Sequence, residues 1–330
     1  MAIDPTQWKL ANEYKHDSPL LSCAFDPSGR FLFAGGRDHG VLLVELSSGQ
    51  TRLLAGHEGW VGLMARAGTD FVLTADQTGR VIQWDCKGKT PKPGWTAELH
   101  PAAVQGLSVS ADGKRFATGD RHGTVRVWAT SDGKRLHELP RIDHSVTAMA
   151  WHLDGKRLFT ADRLPQKPRV KLWDVATGRE LLSIDVAELS GYRRVEDIEW
   201  GGIRGLTVSS DGKHVIACGR SGYDGPMGAM VFDISTGQLV RKQASALKGF
   251  YYAVAFHPQG FFMAAGGDIG KGEFRVWDPC KDPSLADAGT SGPCTSLDIH
   301  PEGKRFAITQ TVGKGSYPTA GSLVVYDWTP

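Results

Sequence analysis

Apolar and polar residues alternate most clearly between Val104 and Trp128, and this pattern predicts short β-strands. Turn-forming pairs follow the first strand at Asp112-Gly113 and the third at Asp132-Gly133. The strands themselves are residues 104–109, 115–119, 124–128 and 134–139. Four consecutive strands joined in this way predict one antiparallel meander sheet.

The same pattern recurs along the chain, which indicates a repeat architecture. The third strands of the copies end at Val44, Trp84, Trp128, Trp173, Phe232, Trp277 and Tyr326. These positions are 40 to 59 residues apart, a period typical of propeller blades with four strands each. The sequence therefore predicts an all-β fold, a seven-bladed β-propeller of four-stranded antiparallel blades.

An acidic residue follows six of the seven positions. These residues are Glu45, Asp85, Asp174, Asp233, Asp278 and Asp327. The Trp-Asp pattern resembles the WD-repeat (tryptophan-aspartate repeat) β-propeller family, and the resemblance extends over residues 8–328. It implies a ring closed by pairing of the two chain ends, and a protein that acts as an interaction scaffold.

The chain departs from the family pattern in two places. The family's Gly-His pair is present as Gly56-His57, with Leu99-His100 and Asp143-His144 as partial matches. The family's turn aspartate, six residues before the Trp position, is present as Asp38 but replaced by Thr78 and His122 in the next two repeats. We therefore expect an incomplete His, Asp and Trp hydrogen-bond network, so that most blades depend on packing.

The first strands of the repeats align in columns of different size. One column is small: Ser22, Gly62, Gly106, Ala148, Gly205, Ala253 and Ser296. The next is mostly bulky and apolar: Cys23, Leu63, Leu107, Met149, Leu206, Val254 and Leu297. Because successive strand residues point to opposite faces, we expect the bulky residues of one blade to pack on the small residues of the next. The residues directly before the small column are expected to line the mouth of the central channel. They are Leu21, Val61, Gln105, Thr147, Arg204, Tyr252 and Thr295.

The first and last repeats together predict how the ring closes. The last repeat, 294–328, has no outer strand, and residues 8–14 form one strand too many at the N-terminus. Pairing of the two removes an exposed sheet edge. We therefore expect residues 1–330 to form a single domain in which 8–14 supplies the outer strand of the last blade.

Composition and charge exclude several classes of function. A net charge of +2 provides no general attraction to nucleic acid or to an anionic membrane. The five cysteines contain no CxxC pair, which argues against a disulfide framework or a structural zinc site. The N-terminus lacks the features of a signal peptide, and no apolar run is long enough to span a membrane, so a cytoplasmic location is expected.

Loop lengths indicate where a partner binds. The turns that join the first to the second strand and the third to the fourth are short, and lie at one rim. Long segments accumulate at the opposite rim, in blades four to seven: 162–168, 186–202, 220–228, 268–272 and 311–321. Since long loops rarely stabilise a core, we expect this rim to bind a protein or peptide partner, and the chain could be one subunit of a larger complex.

Aromatic and arginine side chains dominate interface energetics, and they define the candidate binding residues. These are Arg163, Lys167, Tyr192, Arg193, Arg194, Trp200, Arg204, Arg220, Tyr223, Tyr251, Tyr252 and Tyr317. Basic and acidic residues are nearly balanced on these loops, which suits a protein or peptide better than a phosphate backbone. Several of the aromatic rings have an alternative role, the packing of their own loops.

No motif for catalysis is present: there is no GxSxG, HExxH, P-loop or helix-opening GxGxxG. His39 and His122 stand beside Asp on the looped rim and could bind a metal or relay a proton, but turn hydrogen bonding is favoured because their blades are not adjacent. The main hypothesis is a non-catalytic scaffold without catalytic residues, metal or cofactor. The alternative is a propeller enzyme with a site at the channel mouth, and nucleic-acid binding is a third hypothesis disfavoured by the balanced charge.

Overall fold

Seven antiparallel sheets, each of four strands, form a ring around a central channel in the computed structural model. The structure describes residues 3–193, 198–199, 202–281, 283–313 and 318–329. In each sheet the strands follow one another in a meander from the channel outward, and we call them a, b, c and d. The seven-bladed propeller expected from the sequence is confirmed.

The chain starts with β1 (Trp8–His16). Blade one contains β2 (Leu20–Phe25), β3 (Phe31–Gly36), β4 (Val41–Glu45) and β5 (Thr51–Leu54). Blade two contains β6 (Val61–Ala67), β7 (Phe71–Asp76), β8 (Arg80–Asp85) and β9 (Lys92–Glu98). Blade three contains β10 (Val104–Val109), β11 (Arg115–Asp120), β12 (Val125–Ala129) and β13 (Arg135–Glu138). Blade four contains β14 (Val146–Trp151), β15 (Arg157–Asp162), β16 (Arg169–Asp174) and β17 (Glu180–Asp185).

The link after blade four contains a 3₁₀ turn, Ala187–Leu189, and a small hairpin of β18 (Tyr192–Arg193) and β19 (Ile198–Glu199). Blade five contains β20 (Gly202–Val208), β21 (His214–Arg220), β22 (Pro226–Asp233) and β23 (Leu239–Lys248). Blade six contains β24 (Phe250–Phe256), β25 (Phe262–Asp268), β26 (Lys271–Trp277) and β27 (Ala286–Thr290). Blade seven contains β28 (Cys294–Ile299), β29 (Arg305–Val312) and β30 (Ala320–Trp328). No helix in the described part of the chain has the length and apolar character needed to cross a membrane.

The N-terminal strand closes the ring, as expected. Strand β1 pairs antiparallel with β30, from Trp8 opposite Trp328 to His16 opposite Gly321. The Trp8 ring packs edge-on against Phe274, with ring centroids 5.1 Å apart, and against Trp328 at 5.8 Å. Backbone pairing and aromatic packing therefore hold the same junction.

Every innermost strand contains a β-bulge one or two residues after its start. The bulged residues are Leu21, Gly62, Gln105, Thr147, Arg204, Tyr252 and Thr295. The residue before each bulge is buried, and this includes Val61 in blade two. The alignment that placed Val61 at the channel mouth is therefore wrong by one residue, because the bulge in blade two occurs at Gly62.

The small and bulky columns pack against each other at Gly106 and Gly205, as expected, but Gly62 belongs to the mouth and a Cβ added there would meet nothing within 4 Å. A Cβ atom added to Gly106 would lie 2.7 Å from Cγ of Met149 in the next blade. A Cβ atom added to Gly205 would lie 3.2 Å from Cγ1 of Val254. Glycine is needed at these positions because the neighbouring bulky side chain fills the space of its missing Cβ.

The His, Asp and Trp network is complete in blade two, contrary to the expectation. His57 Nδ1 donates to Asp76 Oδ2 at 2.8 Å, and its Nε2 lies 2.6 Å from the Thr74 hydroxyl, which also accepts from Trp84 Nε1 at 3.0 Å. Burial opposes ionisation of Asp76, but hydrogen bonds from His57 and Thr78 together lower its pKa. The carboxylate comes from Asp76, eight residues before the Trp and not six, so the residue at Thr78 does not decide whether the network forms.

Blade three repeats this network with His100, Asp120, Thr118 and Trp128. The expectation that Thr78 and His122 interrupt it is therefore wrong in both blades. In blade one, His16 lies 2.9 Å from Asp38, in a pair near the surface.

Candidate protein-interaction face

The bulges shape the mouth of the central channel on one side of the ring. The b–c turns and the links between blades emerge on this side, which we call the looped face. Of the bulged residues that line the mouth, Arg204 carries the charge and Tyr252 the aromatic ring. The mouth is therefore mostly uncharged, as expected from the sequence.

Phe250 organises a cluster beside the mouth. The guanidinium carbons of Arg204 and Arg220 lie 5.0 and 5.2 Å from the centre of the Phe250 ring. The ring of Tyr252 lies 5.5 Å from the same ring. Stacking on the Phe250 ring holds both guanidinium groups in place. Arg220 is buried, whereas Arg204 is half-buried at the mouth.

Acidic residues limit how much positive charge this cluster exposes. Arg220 donates to Asp224 Oδ1 at 3.1 Å, and Lys248 donates to the other carboxylate oxygen at 2.6 Å. The hydrogen bond and charge of Lys248 lower the pKa of Asp224. Burial raises the pKa of the Tyr252 hydroxyl, so Tyr252 is a neutral donor at physiological pH.

A second aromatic–arginine pair joins blade one to the link that leads into blade two. The guanidinium of Arg37 stacks 4.6 Å from the ring centre of Trp60, whose side chain is 38% exposed. Arg37 borders a cavity of about 190 Å³ together with Tyr252, Asp268 and Thr295. The b–c turns of blades one and six and the channel mouth thus share one concave surface.

The structure brings three of the sequence-predicted residues together, namely Arg204, Arg220 and Tyr252. Arg163 and Lys167 lie on the b–c loop of blade four, where a Cβ at Gly202 would be 3.2 Å from Cγ of Arg163. Tyr223 is exposed in the b–c turn of blade five.

The other predictions fall on or near the link after blade four and the last b–c loop. Tyr192 is half-buried at the start of the small hairpin, and Arg193 belongs to strand β18. Arg194, Trp200 and Tyr317 lie outside the described residues, so their assignment stays a prediction.

Tyr251 is not a surface residue, so its assignment to the partner-binding set is wrong. It precedes the bulge of β24, and it therefore belongs to the buried column between blades five and six. Its hydroxyl donates to Glu273 Oε1 at 2.5 Å, and its ring packs edge-on against Trp277. Burial and the charge of Glu273 raise its pKa well above the ordinary value.

Loop length as a signal missed Arg37 and Trp60. Their blades have short turns on the looped face, so no insertion marked them. The sequence does contain one indication of this pair. Trp60 directly precedes an innermost strand, and residues at that position lie on the looped face.

The described residues contain no group of three or more His, Cys, Asp or Glu side chains that could hold a metal ion. The backbone N–H of His122 donates to Asp120 Oδ1 at 2.8 Å, and His39 has a φ of 65° in its turn. Both histidines are exposed at turns. Burial raises the pKa of the Cys86 and Cys294 thiols to about 12, so they are unreactive core residues.

Comparison with known proteins supports the same architecture. The family model described as "WD domain, G-beta repeat" matches residues 8–44 and 92–129. Each matched segment starts with the outer strand of one blade and continues through the three inner strands of the next. These two segments are similar to WD repeats, and the chain folds as a β-propeller. Each sequence repeat therefore begins one strand before its blade. For the same reason, the first strand of the chain belongs to the last blade.

Several curated proteins are similar to the propeller. The "Periodic tryptophan protein 2 homolog" of Schizosaccharomyces pombe is 27% identical over 67% of this chain and 21% of its own length. The "Ribosome biogenesis protein WDR12 homolog" of Drosophila erecta is 26% identical over 46% of this chain and 41% of its own. The "Guanine nucleotide-binding protein subunit beta" of Nicotiana plumbaginifolia is 25% identical over 49% of this chain and 46% of its own. The propeller thus spans less than half the length of these three relatives.

Proposed function

We propose that the propeller is a non-catalytic scaffold that binds a protein or peptide through the looped face of blades four to seven. The observation that carries this proposal is the concave surface at the channel mouth, where Arg204, Arg220 and Tyr252 surround Phe250. Aromatic and arginine side chains at the centre of a surface are the usual sites of strong interface contacts.

The comparisons add a second line of support. One relative is named as a subunit and another as a ribosome biogenesis protein. We propose that this chain also works as one subunit of a larger complex, with a protein partner rather than nucleic acid or membrane. The cytoplasmic location expected from the sequence stays a prediction.

Affinity purification of the full chain from cells tests the proposal. The test variant changes Arg204 and Tyr252 to alanine. The matched control changes Lys134 and Lys213, two exposed lysines in turns of the opposite face, to alanine. Circular dichroism and thermal unfolding verify that both variants fold.

Truncation of an interface hot spot costs about 2 kcal/mol or more, which is roughly thirtyfold in affinity. We expect specific partners to be lost from the test variant and retained by the control. Partners retained by both variants would reject the looped face as the interface, and partners lost only from the control would assign binding to the opposite face.

A further inference from the structure

The cavity between blades six, seven and one has a size that restricts its occupant. Its lining includes Arg37, Tyr252, Asp268, Ile269, Pro293 and Thr295, and its volume is about 190 Å³. Sites for small molecules and cofactors usually enclose roughly 300–1,000 Å³. This cavity therefore fits a single side chain better than a whole cofactor.

The lining offers apolar surface that a partner could cover. Ile269, in the b–c turn of blade six, is 60% exposed, and Tyr252 is 37% exposed. Pro293, in the link to blade seven, also borders the cavity. Since covering apolar surface is the main favourable contribution to association, an apolar side chain is the fitting occupant.

Among the described residues, the two charged side chains of the lining stand on different blades. Arg37 borders the cavity from blade one, where its backbone N–H donates to Pro19 and its guanidinium stacks on Trp60. Asp268 borders it from blade six, where its carboxylate accepts the N–H of Ile269 at 2.8 Å. Within the described part of the chain, neither residue forms an ion pair.

We propose that this cavity takes an apolar side chain of a peptide segment that carries an acidic residue on the side of Arg37 and a basic residue on the side of Asp268. The inference rests on the proposed function, since it names the chemistry of the partner at the same face. Opposite charges on two sides of the cavity also fix the direction of the peptide, because a reversed segment would place like charges together.

A random peptide library displayed on phage tests the chemistry without a known partner. It is selected on the immobilised full chain, on Arg37→Glu, on Asp268→Lys, and on Lys134→Glu as a control on the opposite face. We expect wild type to enrich an apolar residue flanked by one acidic and one basic residue. The Arg37→Glu variant should exchange the acidic for a basic residue, Asp268→Lys should make the opposite exchange, and the control should keep the wild-type motif.

A synthetic peptide carrying the wild-type motif then gives the size of the effect. We expect each charge reversal to weaken its binding by about tenfold, and a peptide with the matching charge reversed to restore it. No enriched motif, or the same motif on wild type and on both charge variants, overturns the inference. If the display experiment fails in this way but the affinity purification still loses partners when Arg204 and Tyr252 are changed, the scaffold proposal stands while the inference falls.

Discussion

His300 donates a hydrogen bond from Nε2 to the backbone carbonyl of Gly29, at 3.1 Å, and so joins the a–b turn of blade seven to that of blade one. His257 makes the same bond to Gly303 at 2.8 Å. In both histidines Nδ1 accepts a backbone N–H from two residues further along the chain. Since a carbonyl only accepts and an N–H only donates, both imidazoles are neutral with the proton on Nε2.

This arrangement predicts that stability falls in mild acid. Burial lowers the pKa of His257 and His300 below the ordinary value of 6.5, against the opposing effect of the carbonyl each one binds. The unfolded chain therefore binds more protons, so the contribution is complete above about pH 6.5 and is lost as the pH falls towards the folded-state pKa values. We expect the free energy of unfolding in urea to decrease between pH 7.5 and pH 5.5.

The double variant His257→Gln, His300→Gln should show a smaller decrease over this pH range, although it is less stable at pH 7.5. His122→Gln, which changes an exposed histidine, serves as the control and should keep the wild-type pH dependence. A double variant with the same pH dependence as wild type would contradict the assignment to these two residues.

The hydrogen-bond network of blade two predicts that the Thr74 hydroxyl contributes strongly to the free energy of unfolding. Thr74→Val leaves Trp84 Nε1 without its acceptor and removes the partner of His57 Nε2 in a buried site. An unsatisfied buried polar group costs about 1–3 kcal/mol, so we expect a loss of roughly 3 kcal/mol in the free energy of unfolding. Thr96→Val, at an exposed position of β9, should change it by less than about 0.5 kcal/mol. Equal effects of the two changes would show that the network adds little stability.

The sequence predicted the features that depend on local pattern. Strand alternation and Trp spacing were enough for seven blades, and the unpaired strand at 8–14 was enough for the ring closure. The bulges were not predictable, because an inserted residue changes which side chains face the core without changing the apolar pattern. This is why Val61, which the sequence places at the channel mouth, and Tyr251, which it places in the partner-binding set, are both buried. Arg37 and Trp60 meet only through folding, so no spacing along the chain reveals them.

The closure of the ring predicts that Trp8 is the most important side chain of β1. Trp8→Ala removes the ring that packs on Phe274 and Trp328 across the junction. We expect a loss of roughly 3 kcal/mol in thermal or urea unfolding. Lys9→Ala, at the exposed neighbouring position, keeps the backbone pairing and should have little effect. Similar losses for both variants would mean that backbone pairing, and not the aromatic contact, holds the junction.

Packing between blades predicts an energetic coupling between Gly106 and Met149. A side chain at position 106 would meet Met149, whose Cγ and Sδ lie 2.7 and 2.8 Å from the position of the added Cβ. Overpacking of this kind costs about 1–3 kcal/mol, so Gly106→Val should destabilise the chain by that amount. Met149→Ala alone should also destabilise it, because it leaves a cavity beside the glycine.

The double variant decides whether the two losses share one cause. If Met149 fills the space above Gly106, the valine occupies part of the cavity left by the alanine, and the combined loss is smaller than the sum by about 1 kcal/mol or more. Leu206→Ala in blade five provides the control, because it lies in the same column of a blade that is not adjacent to blade three. Its loss should add to that of Gly106→Val. Additive losses for Gly106→Val and Met149→Ala would contradict the packing of the bulky column on the small one.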